Sequence, residues 1–219
     1  HLPREHVVAQ PAVNLKQARP LRLRRALAQR GLTEAVTFSF LAEKEAVMFG
    51  GGDVCLRLVN PISADLSIMR PSALPNLLSA AAFNQDRGEA DVAMFEIGPV
   101  FFGDTPDQQR TAVAGIRHGA LAPREWHGSR RMVDVFDIKA DVEAGLSALG
   151  IRRDSLQIEA GGPDYFHPGR CGRLLQGRTL LAQFGEIHPS VASHFGLRNA
   201  LVGFEFFLED VPLAKSRGP

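Results

Sequence analysis

The chain has 219 residues, 45% hydrophobic and 22% charged, with 25 Lys and Arg against 24 Asp and Glu for a formal net charge of +1. That length and balance suit one large globular domain and exclude a disordered chain, and a charge near zero excludes a whole-molecule field drawing it to nucleic acid or an anionic membrane. No apolar run approaches a membrane span, no signal peptide opens the chain, and its two cysteines, Cys55 and Cys171, read as reduced thiols rather than a disulfide framework.

The elements follow in chain order. Residues 1–19, with Pro3 and Pro11 and no sustained period, read as a linker or lead-in, and the start at His1 and the polar end KSRGP read as cuts from a longer polypeptide. In PLRLRRALAQRG, Pro20 suits a first helical turn and Gly31 the residue just past the end. Leu23, Ala26 and Leu27 share one face of that helix, and Arg22, Arg25 and Gln29 another. TEAVTFSF is expected as a strand, LAEKEAVMFGG as a short helix and DVCLRLVNP as a strand stopped at Pro61. Ser72 is placed to cap a helix carrying the stripe Leu74, Leu77, Leu78, Ala81 and Ala82, closed by Gly88.

FEIGPVFFGD (95–104) alternates as a strand, and TAVAGIRHG reads as its hairpin partner. Asp137 can cap a helix running through Leu149 to Gly150. RCGRLLQGRTLLAQFGEIHP is a hairpin turning at Gly177, a short helix starts near Ser190, and LVGFEFFL is a last strand. Strand pairs outnumber βαβ units, so the expected class is α+β, an antiparallel sheet with helices on one side.

Three pieces in order, RRALAQRGLTEAVTFSF, FEIGPVFFGD and VGFEFFLEDV, resemble the three motifs of class II aminoacyl-tRNA synthetases. The strings RGLTEAVTFSF, NPISADLSIMRPSALPNLL, FEIGPVF, HPGR and FGEIHP narrow the resemblance to the beta-subunit family of bacterial phenylalanyl-tRNA synthetases, in its synthetase-like core, from about Leu15 to Leu213. This implies a core over 20–213, with 214–219 leading to an anticodon-binding domain and editing and DNA-binding-like domains before His1. The family usually has Ser-Ala after HPGR; here Cys171 and Gly172 stand there.

In the active members of the class, the resemblance implies, an arginine closing the middle motif holds the α-phosphate of ATP and an arginine in the last motif stacks on adenine. Phe102 stands at the first of these positions, with Asp104 for a glutamate, and Asp210 falls near the second. A benzyl group donates nothing to a phosphate and a carboxylate repels one. Losing one transition-state donor commonly costs about 3 kcal/mol, so no catalytic residue is assigned and the core is expected to be silent. Arg110 and Arg117 on the next strand are the candidates for a substitute.

The resemblance further implies a cytoplasmic α2β2 heterotetramer that aminoacylates tRNA(Phe) with phenylalanine, using ATP and Mg2+ that this domain does not itself hold. The catalytic alpha chain would pair with this core through the first motif. The residues expected at that contact are Arg22, Arg25, Ala26 and Gln29 on the helix, with Val36 and Phe38 beyond it; the alternatives are this domain's own core for Ala26 and solvent for the arginine face. The same basic stretch offers Arg19, Arg24 and Arg30 as possible RNA contacts, without an interleaved aromatic to stack bases. His167, Arg170 and His188 are positions of the family pattern and are expected to be structural. With Cys171 the two histidines match no zinc spacing, and no metal site is assigned. Glu96 and Asp104 would share a strand face, as an acid–base pair or as charges at the sheet margin. Trp126 and Tyr165, each the only one of its type, read as loop anchors.

Overall fold

The computed structural model describes residues 13–122, 126 and 130–213. The N-terminal segment 1–12 and the expected linker 214–219 lie outside the described residues. The first helix, α1, spans Leu15–Gln29 and takes in the end of the expected lead-in. It starts at Leu15 because Asn14 and Gln17 form a capping box, each side chain accepting the other's backbone N–H. Pro20 therefore sits inside the helix, not in its first turn. Gly31, at φ 81°, ends it as expected, in a conformation a side chain would resist.

TEAVTFSF is not one strand. It divides into β1 (Thr33–Glu34) and β2 (Phe40–Leu41), separated by a segment that pairs with no strand. Helix α2 (Glu43–Met48) follows as read. DVCLRLVNP is not a strand either: Asp53 accepts from the Cys55 N–H and starts a 3-10 turn over Val54–Leu56. Strand β3 (Ile68–Met69) pairs with β2 over a small core of Leu41, Ala46, Leu56 and Ile68.

Helix α3 (Leu74–Gln85) buries Leu74, Leu77, Leu78 and Ala81 as the stripe predicts, and the Ser72 hydroxyl accepts the Leu74 N–H. Strands β4 (Val92–Phe101) and β5 (Gln109–His118) form the expected hairpin. Helix α4 (Val135–Ala148) is capped by Asp134; Asp137 is the reciprocal partner three residues on, not the cap. Then come β6 (Gln157–Ala160), unforeseen because all four residues are exposed, β7 (Phe166–Gln176), β8 (Thr179–Ile187), α5 (Pro189–His194) and β9 (Leu201–Phe207).

The sheet runs β1-β4-β5-β9-β8-β7-β6. Every pair is antiparallel except the short edge strand β1, which lies parallel to β4. The α+β expectation holds, with one difference: helices cover both faces. Val202, Phe204 and Phe206 of β9 pack with Leu23 and Leu27 of α1 and Ile138, Val142 and Leu146 of α4. Leu201, with Ala114 and Ile116 of β5, packs instead with α3 and α5. Alternation along a strand requires this, because the central strands are apolar at successive positions and both faces must be hidden from water.

Candidate functional site

The face of the sheet under α3 carries a buried carboxylate. Glu205 of β9 is buried there, with its Oε1 accepting from the Ser72 hydroxyl at 2.8 Å and the Ala73 N–H at 3.0 Å. Both donors come from the start of α3, whose positive end faces the carboxyl. Burial pushes the Glu205 carboxyl up to about 7, against the pull of these donors and of Arg70. Tyr165 is buried nearby and stacks on Phe49 with ring centroids 4.6 Å apart; burial pushes its hydroxyl up, and Glu205 adds to the shift.

At the end of β4, Phe102 and Asp210 are brought to the same place. The Phe102 ring meets Phe207 edge-on at 5.6 Å, the Arg110 guanidinium lies 4.3 Å over the Phe207 ring, and Asp210 forms an ion pair with Arg110. The Arg110 charge is met by Asp210 while its flat face rests on an aromatic ring. Arg117 is not a substitute. Its Nε and Nη2 reach the buried Asp141 of α4 at 2.6 and 3.1 Å, and Nη2 also donates to the Arg30 carbonyl at 2.7 Å. At the end of β4, where the resemblance expects an arginine, Phe102 offers no donor to a phosphate, and Arg110 beside it is already paired with Asp210.

The segment between β1 and β2 presents an exposed apolar surface. Val36 is 90% exposed and Phe38 61% exposed. They line a groove of about 1020 Å³ with Phe40, Leu66, Asn76 and Phe83, rimmed by Glu45 and Asp65. Below it, Arg70 and Glu96 form a buried ion pair at 2.9 Å. Glu96 is therefore not paired with Asp104, which is exposed in the turn after β4.

On α1, Arg22, Arg25 and Gln29 face solvent, and neither arginine has a hydrogen bond or ion pair among the described residues; Ala26 is half-buried between the buried Leu23 and Leu27. The possible RNA contacts are placed differently. Arg19 donates to the Leu208 and Val211 carbonyls at 3.0 and 2.6 Å, Arg24 pairs with Glu34 at 2.6 Å, and Arg30 pairs with Asp141 at 2.8 Å. Each guanidinium thus has a bonding partner inside the chain.

His167 and His188 stack with centroids 6.5 Å apart. His188 caps α5 by accepting the Ser190 N–H, and the His167 Nδ1 accepts the Gly169 N–H. Arg170 pairs with Glu186 at 2.6 Å. HPGR lies within β7 where its register against β8 shifts between Phe166 and Cys171, so it is a strand irregularity and not a free turn. Trp126 is exposed.

Sequence reasoning missed Arg70 and Asp141, which are wholly buried, and the burial of Glu205. A charged residue within an otherwise apolar strand or helix face was the available signal, as in VGFEFF and DIKADVEAGL.

The fold is that of a class II aminoacyl-tRNA synthetase. A pyrrolysyl-tRNA synthetase of Desulfitobacterium hafniense, PylSc, has a similar structure with a TM-score of 0.67, at 19% identity and covering 90% of this chain and 67% of that one. A second structure of the synthetase from that organism gives a TM-score of 0.65 at 20% identity, covering 89% and 67%.

Residues 2–208 match the family described as the phenylalanyl tRNA synthetase beta chain CLM domain, and the chain belongs to that family. It is 50% identical over 201 residues to the phenylalanine–tRNA ligase beta subunit of Rhodospirillum rubrum, covering 92% of this chain and 25% of that relative. With the beta subunit of Paramagnetospirillum magneticum it is 48% identical over 207 residues, covering 94% and 26%. The chain thus spans about a quarter of the length of these relatives.

Proposed function

We propose that this chain is the non-catalytic synthetase-like core of a phenylalanine–tRNA ligase beta subunit, and that it docks and stabilises a catalytic alpha subunit. The observation that carries the reading is the apolar display of Val36 and Phe38 beside an open groove. Two large side chains held out into water next to a groove mark a surface that is covered in the working molecule. Arg22, Arg25 and Gln29 extend the surface along α1, with Ala26 low enough between them for close approach of a partner. The ligase joins phenylalanine to tRNA(Phe) in the cytoplasm as an α2β2 assembly, with ATP and Mg2+ bound by the alpha chain. In this chain, Phe102 and Phe207 fill the nucleotide position and Asp210 neutralises Arg110. A chain retaining its own adenylating pocket, or an RNA-binding module, finds less support: Arg110 is paired with Asp210, and Arg19, Arg24 and Arg30 are bonded within the chain.

The test is co-elution of this chain with its cognate alpha subunit, with mass read by light scattering. A stable complex that is lost on Phe38→Asp or Arg25→Glu, with folding unchanged, is the expected result. Failure of the wild-type chain to bind at micromolar concentration overturns the docking role.

A further inference from the structure

Val36 and Phe38 project outward although their segment belongs to no strand. At its start the Ala35 N–H donates to the Phe95 carbonyl at 2.7 Å, and at its end the Ser39 carbonyl accepts from the Arg70 N–H at 3.0 Å. Between these points the segment is held from beneath by side chains. The Thr37 hydroxyl donates to Glu96 Oε2 at 2.7 Å and accepts from Arg70 Nη1 at 2.9 Å. The Thr37 N–H donates to Glu96 Oε1 at 3.4 Å, and the Phe38 carbonyl accepts from Asn76 Nδ2 at 3.2 Å. With Thr37 drawn inward, its two neighbours in an extended chain must point out.

Arg70 is itself fixed: its Nε donates to the Pro99 carbonyl at 2.9 Å, and its side chain is almost wholly buried. Room for it comes from Gly98. A Cβ there would lie 2.5 Å from Arg70 Nη2 and 3.2 Å from Glu96 Oε1, and Gly98 is not among the glycines of positive φ, so space and not conformation is what the glycine supplies. A buried ion pair is a poor source of stability, because an apolar pair of similar volume packs as well without the desolvation cost. What the pair provides is a set of directed donors and acceptors at one point of an otherwise unpaired segment.

We propose that the buried Arg70–Glu96 pair, acting through the Thr37 hydroxyl, is the positioning element that holds segment 36–39 in the form that presents Val36 and Phe38 for docking. This rests on the docking role proposed above. Both Arg70 and Glu96 bond Thr37, and Arg70 Nη1 also donates to the Phe38 carbonyl at 3.5 Å.

The test compares Thr37→Val, which keeps the shape and removes the hydroxyl, with Thr37→Ser, which keeps the hydroxyl and removes the methyl. Amide hydrogen exchange is read across 36–39 in the folded chain, and affinity for the alpha subunit by titration. Thr37→Val is expected to speed exchange in the segment ~tenfold, leave the sheet strands protected and weaken binding ~tenfold, while Thr37→Ser behaves as wild type. Gly98→Ala, which pushes the guanidinium aside without removing a charge, is expected to act like Thr37→Val. Wild-type exchange in Thr37→Val, or a Thr37→Ser variant as loose as Thr37→Val, overturns the proposal. Phe38→Asp separates the two claims: if it binds alpha as well as wild type, the docking role falls, and the exchange comparison alone decides the positioning role.

Discussion

Arg117 and Asp141 meet at 2.6 Å in the interior, joining the end of β5 to the middle of α4, and Arg30 at the end of α1 closes on the same carboxylate at 2.8 Å. Asp141 is fully buried, and among the described residues these two guanidinium groups compensate its charge. Asp141→Ala leaves Arg117 charged and unpaired under α4. Breaking a buried pair on one side costs about 3–5 kcal/mol, so the midpoint of urea unfolding should drop sharply. The double variant Asp141→Leu with Arg117→Met should recover much of that loss. A single variant as stable as wild type would mean that the three side chains do not hold these elements together.

Stability should depend on pH through Glu205. Its carboxyl titrates near 7 in the folded chain against 4.5 as an unperturbed group, because burial penalises the charge. The folded state thus keeps a proton that the unfolded state has already lost. The stability this confers is complete below about pH 4.5 and is lost as pH rises through about 7. Glu205→Gln keeps an acceptor oxygen for Ser72 and Ala73 and should flatten the fall between pH 5 and 7.5. His118 acts in the opposite sense: burial lowers its pKa, so it costs stability as pH falls below its ordinary value of 6.5. Thermal melts of the two chains across that range check the assignment; parallel curves would refute it.

Pro20 costs helix α1 a backbone bond. In the helix interior proline has no N–H to give to the preceding turn, a penalty of up to about 3 kcal/mol. Pro20→Ala should raise the unfolding midpoint. A lower midpoint would show that what Pro20 contributes elsewhere outweighs the missing bond.

ATP should not bind measurably to this chain. Phe102, Phe207, Arg110 and Asp210 satisfy one another, so calorimetric titration should give no heat up to ~1 mM nucleotide, a ceiling of roughly 4 kcal/mol in binding free energy. Submillimolar binding lost on Arg110→Ala would restore the adenylating reading.

Much of the fold was legible in the sequence. The stripe on α3, the hairpins β4–β5 and β7–β8 and the glycine ends of α1 and α4 are local patterns, and local patterns survive folding when the buried face agrees with the period. The start of α1 was misread because proline was taken as a first-turn signal, while the Asn14–Gln17 box upstream decided it. TEAVTFSF divides because residues 35–39, though β-forming, have no strand beside them, while Phe40 pairs with Met69.

The sequence by itself determined the α+β class and the family resemblance. Only the tertiary structure decided which cations are free. Arg19, Arg24 and Arg30 read as a basic cluster in sequence, and each is claimed by a partner elsewhere in the fold. Ser72 and Glu205 are separated by 133 positions and meet at 2.8 Å. No local pattern encodes such a contact, because a buried charge is compensated by whichever donor the packing of distant elements brings within hydrogen-bond reach.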